Sequence, residues 1–70
     1  MSQTLTTRVH ELGLRLVKEN PDWRTGQAYF NALVIEEPEI ADFVRGQLID
    51  PYYQDDRLPV FWQYVGSWDW

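Results

Sequence analysis

With no cysteine and a single histidine, His10, this seventy-residue chain has neither disulfides nor an ordinary zinc site to hold it together. A domain of this size buries only about 60% of the surface its unfolded chain exposes, so it needs dense packing or self-association to be stable. The means for dense packing are present. Four Trp, four Tyr and three Phe supply rings that can each bury about 150–250 Å². The length allows one domain, residues 1–70, of which 66–70 form an aromatic tail.

Hydrophobic periodicity predicts an all-α fold. Over residues 5–20, Leu5, Val9, Leu12 and Leu16 share one arc of a helical wheel, and Arg8, Glu11, Arg15, Lys18 and Glu19 fall opposite. Leu14, Val17 and His10 widen the arc to a second flank, which implies contact on more than one side. Gly13 within this helix costs about 1 kcal/mol relative to Ala and points to close packing there. Asn20 as N-cap and Pro21 at the first helical position predict a second helix over 21–35, with Trp23, Gly26, Phe30, Leu33 and Val34 on one arc.

Glu37-Pro38 interrupts the pattern, because the residue before proline is driven out of α geometry. A short third helix over 38–45 follows, with Ile40, Phe43 and Val44 inward and Gly46 closing it. Residues 47–57 have no helical period and read as an ordered, turn-prone loop. Pro59 opens a last helix with Leu58, Phe61, Trp62 and Val65 on one face, ended by Gly66. No alternating run is long enough for a sheet, and Gln47-Leu48-Ile49 is too short to argue for one. The expectation is a compact bundle of three to four short helices with an ordered loop before the last.

Charge is unevenly placed. Residues 1–24 hold four basic and three acidic side chains, a balance of +1, whereas residues 25–70 hold two basic and eight acidic, a balance of −6. Such a surface repels phosphate backbones, which speaks against direct nucleic-acid binding and suits a protein partner with a basic surface. Solubility alone also accounts for it. The start of the sequence has no apolar h-region, and no apolar run approaches the roughly 20 residues of a membrane span. Together with the absence of cysteine, this gives the expectation of a cytoplasmic protein without a membrane segment.

Three groups of residues invite a chemical reading. Arg24, Gln27 and Asn31 form a polar stripe beside an apolar arc. Such a stripe can hold a ligand carboxylate or base edge, or it can tie down a neighbouring loop, for which residues 50–56 are the candidate. Asp50, Asp55 and Asp56 do not have calcium-loop spacing, and turn formation and capping explain them. Glu36, Glu37 and Glu39 flank the start of the third helix in the same way. His10 has no nucleophile or second histidine beside it, and no phosphate loop, serine elbow or HExxH pattern occurs. No catalytic residue, metal ligand or cofactor is expected. Tyr52, Tyr53, Phe61, Trp62, Tyr64, Trp68 and Trp70 crowd into nineteen residues, more rings than a small core obviously shelters. Core packing competes there with a partner or dimer interface, in which Tyr64, Trp68, Asp69 and Trp70 are the candidate contacts.

Residues 20–65 resemble a group of short proteins of bacteria and their phages. The resemblance rests on Pro21, Arg24, Gly26, Gln27, Asn31, Ala32 and Leu33 in a P-x-x-R-x-G-Q-x-x-x-N-A-L pattern, followed by Asp50, Pro51, Tyr53 and Asp56 in D-P-F-Y-x-x-D. Tyr52 stands where that group usually has Phe. The resemblance implies that Arg24, Gly26, Gln27, Asn31, Asp50 and Tyr53 belong to one structural unit. It lends no catalytic residue, and it suggests a phage or mobile-element origin with action in a host cytoplasm. The resulting expectation is a non-enzymatic interaction module, of the kind that modulates or inhibits a host protein. The rival expectations are a homo-oligomeric structural subunit and a small-ligand or nucleotide sensor built on Arg24, Gln27 and Asn31.

Overall fold

A computed structural model describes residues 3–47 and 50–69, and every regular element among them is helical. In order these are α1 (Leu5–Glu19), α2 (Thr25–Glu36), α3 (Pro38–Val44), a 3-10 turn (Asp55–Arg57) and α4 (Leu58–Gly66). No helix among the described residues is long and apolar enough to cross a membrane. Leu48, Ile49 and Trp70 lie outside the described residues.

The core forms where α2 meets its neighbours. Leu5 and Val9 of α1, Tyr29, Phe30, Ala32 and Leu33 of α2, Ala41 and Val44 of α3, and Phe61 and Val65 of α4 are all buried. α2 was expected to present a single arc. It is instead apolar nearly all round, with Ala28 through Phe30 consecutively buried, because α1, α3 and the loop side all cover it. α1 packs against α2 and α4, although Leu14, on its second flank, stays exposed.

Asn20 corrects the expected boundary between the first two helices. It closes α1, its N–H donating to Leu16 O at 2.8 Å and its side-chain amide donating to the same carbonyl at 3.2 Å. Trp23 N–H then donates to Asn20 O at 2.9 Å, and this turn occupies the residues expected to start α2. Trp23 is therefore half-buried in a turn and not on a helical arc. Between α2 and α3 a single non-helical residue suffices. Glu37 donates its N–H to Leu33 O at 2.8 Å and accepts from Ala41 N–H at 3.0 Å, with Pro38 starting the new helix. Gly46, at φ +77°, follows α3 in the left-handed conformation that favours glycine.

α3 also corrects the expected face. With Ala41 and Val44 buried, Phe43 is rotated about 100° from Val44 and is 62% exposed instead of inward. α3 is covered on one side only, so Ala41 and Val44, three residues apart, share its inward arc and Phe43 falls outside it.

At Gly13, a Cβ would overlap the ring of Tyr29. That ring is held by His10, stacked at 5.5 Å and 19°, and by Trp62, edge-on at 4.9 Å. Burial also pushes the Tyr29 phenol above its usual pKa. On an open helix Gly→Ala stabilises by about 1 kcal/mol. Here Gly13→Ala is expected to destabilise by about 1–3 kcal/mol through overpacking, read as a lower midpoint in urea unfolding at unchanged helix content.

Candidate functional site

Helix N-termini leave backbone N–H groups without partners, and a carboxylate there is doubly suited, as acceptor and as counter to the helix dipole. Neither α1 nor α2 has an acidic residue in its first turn. Both receive one from later in the chain. At α2 the N-cap position is Arg24, whose side chain makes no cap and has no acceptor to offer. Asp55 supplies it, its Oδ1 accepting from Gly26 N–H at 2.9 Å. At α1, Thr4 caps Thr7 N–H at 3.1 Å. Asp69 takes the neighbouring group, accepting from Thr6 N–H at 3.2 Å and from the Thr6 hydroxyl at 2.5 Å.

The motif residues converge on this loop. Arg24 donates to Tyr52 O at 2.8 Å, and Gln27 donates to the Tyr52 hydroxyl at 3.4 Å. Gly26 leaves room for Pro51, whose carbonyl a Cβ would overlap and whose own side chain is fully buried. Asp50 closes the turn from both sides, accepting from Gly46 N–H at 2.8 Å and Tyr52 N–H at 2.9 Å. Tyr53 packs edge-on against Tyr52 at 4.7 Å and is otherwise exposed. Asn31 does not share the Tyr52 contacts of Arg24 and Gln27. It lines a cleft of about 360 Å³ with Arg45, Asp50, Tyr52 and Tyr53. The polar stripe is thus divided, with two of its three members engaged with one loop residue. Among the described residues no three His, Cys, Asp or Glu side chains are placed to share a metal ion. His10 sits on the exposed flank of α1 against Tyr29.

The other feature is a groove of about 550 Å³ between α3 and the end of α4, lined by Glu37, Glu39, Ile40, Phe43, Tyr64 and Trp68. Phe43 and Tyr64 stack with centroids 5.8 Å apart and planes 8° from parallel, and Trp68 stands across Tyr64 at 6.3 Å. Phe43 is 62% and Trp68 46% exposed. Large rings clustered at an open surface are the exception for a folded chain.

Of the residues proposed from sequence as partner contacts, Tyr64 and Trp68 line the groove, and Trp70 lies outside the described residues. Asp69 is turned away, onto α1. It acts as the latch that fixes the chain beyond α4, where Trp68 N–H donates to Val65 O and Asp69 N–H to Gly66 O, both at 3.0 Å. Phe43, Glu37 and Glu39 were missed as groove residues. The signal available was the Ala41–Val44 spacing, which leaves no inward place for Phe43.

Comparisons of the chain with protein-family models, curated proteins and solved structures found no match.

The hydrogen bond from the Thr6 hydroxyl, with smaller help from the Thr6 and Leu5 N–H groups and Arg8, holds the Asp69 carboxyl below its ordinary pKa against some desolvation. A depressed folded-state pKa means that the unfolded chain binds more protons in acid. The latch therefore stabilises fully above the ordinary carboxylate pKa of about 4 and is lost as pH falls through the lower folded value. Thermal melts of wild type and Asp69→Asn should differ most near neutral pH and converge toward about pH 2. A difference independent of pH would remove Asp69 from that role.

Proposed function

We propose that this protein is a non-enzymatic interaction module that engages a protein partner through the groove between α3 and α4. The observation that carries the reading is the stacked Phe43–Tyr64 pair with Trp68, rings left open to solvent on a fixed helical frame. Aromatic side chains in such a setting are the commonest anchors of protein interfaces. The groove's charged members are both carboxylates, so the preferred partner surface is basic, and phosphate backbones are repelled. The resemblance to short bacterial and phage proteins extends the reading to a modulator or inhibitor of a host protein in the cytoplasm, a setting that a cysteine-free chain suits.

The clamp around Tyr52 supports a structural role for Arg24, Gly26 and Gln27 in this scheme. Each of the two polar side chains donates a hydrogen bond to Tyr52, which favours an interaction protein over a sensor built on that stripe.

Affinity capture from host lysate with wild type, Phe43→Ala and Trp68→Ala tests the proposal. A protein retained by wild type and lost by both variants is the expected result. Because Phe43 is mostly exposed, its replacement should change folding stability by no more than about 0.5 kcal/mol, which thermal melts check. Equal recovery by all three proteins would rule the groove out.

A further inference from the structure

The groove joins two chemistries in one recess. Its floor is aromatic and aliphatic, from Ile40, Phe43, Tyr64 and Trp68, and its remaining lining is Glu37 and Glu39. The other carboxylates of this region differ. Glu36 is paired with Arg8 at 3.2 Å, and Asp42 lies 3.7 Å from Arg45. Arg45 in turn lies over the Phe30 ring at 5.5 Å, so neither nearby arginine lines the groove. Two acids beside three rings, with no cation among the lining residues, make a surface complementary to a cation that also tolerates an apolar face.

From this we infer that the groove's occupant is an arginine-bearing amphipathic segment of the partner, whose guanidinium lies against the rings while pairing with Glu37 and Glu39. The inference rests on the interaction reading above and specifies its chemistry. Guanidinium fits better than ammonium for two reasons. It stacks on aromatic faces while its in-plane N–H groups stay free for carboxylates, and it is less strongly hydrated. A lysine head group keeps its water and offers only a point charge. A volume of about 550 Å³ leaves room for apolar neighbours of the arginine over Ile40 and Phe43, falling within the range of sites that enclose sizeable ligands. A second copy of this chain is a poorer occupant, since each copy carries a net charge of −5.

The test uses three synthetic amphipathic peptides of about twelve residues, roughly three helical turns, identical but for Arg, Lys or citrulline at the charged positions. Citrulline keeps the shape of arginine and removes its charge. By titration calorimetry the Arg peptide should bind about tenfold more tightly than the citrulline peptide, with Lys between them and added salt narrowing the gap. The double substitution Glu37→Gln with Glu39→Gln should erase most of the Arg advantage while leaving citrulline binding unchanged, with a small drop in the thermal midpoint because both acids flank the start of α3. Phe43→Ala should weaken all three peptides.

Equal binding of the Arg and citrulline peptides overturns the inference, as does full retention of the Arg preference in the Glu double variant. A dimer in sedimentation that Phe43→Ala dissolves also overturns it, by placing a second copy in the groove. Loss of partner capture by Phe43→Ala without any Arg preference would leave the interaction reading standing and remove this one. Capture unaffected by Phe43→Ala would remove both.

Discussion

Two carboxylates from the second half of the chain cap the first two helices, and the remaining architecture is arranged around those contacts. Thr4 leaves Thr6 N–H for Asp69, and Arg24 has no acceptor for the N-terminus of α2. Without Asp69 the Thr6 N–H of α1 would lose its acceptor beside the Thr4 cap, and without Asp55 the Gly26 N–H of α2 would lose its own. Each cap satisfies a backbone donor that the helix itself cannot, a contribution that counts in a domain this small. Each cap also holds a segment in place: Asp55 the loop that Arg24 and Gln27 grip, and Asp69 the turn that carries Trp68.

The acidity of the C-terminal two-thirds changes meaning in this light. Asp55 and Asp69 cap helices, Asp50 closes a turn, Glu36 meets Arg8, and Asp42 lies beside Arg45. Most of the excess negative charge is thus accounted for within the fold. Of the other three acidic residues, Glu37 and Glu39 border the aromatic groove, and Asp56 lies in the 3-10 turn before α4. Part of the acidity seen in the sequence is thus gathered at one recess.

The helical class was legible because the periodicities of α1 and α4 are strong and Pro38 and Gly46 mark boundaries that backbone chemistry enforces. The start of α2 was not legible. Asn20 and Pro21 satisfy the local rules for a helix start, but Asn20 is used to close α1, and Asp55, thirty-five residues after Asn20, caps the helix that begins at Thr25. Phe43 was misplaced for a related reason: a seven-residue helix has too few positions for the wheel to separate an inward Val44 from an outward neighbour. Asp69 looked like a surface charge beside two tryptophans, and its partner Thr6 lies 63 residues earlier. Local pattern carried what depends on neighbours in the chain, and contacts across the fold decided the rest.

That separation has a consequence for the order of folding. The entropy of closing a loop rises by about 0.6 kcal/mol with each doubling of its length, so a latch that spans nearly the whole chain has little to offer before α1, α2 and α4 have already met. Its hydrogen bonds belong to the end of the folding reaction, with a φ-value at Asp69 of about 0. The latch fixes the turn that carries Trp68, so the Trp68 side of the groove is completed late. By the same reasoning it is the first to open under stress. A chain whose groove has opened can therefore still hold its core, so the binding proposed for the groove would fail before folding does.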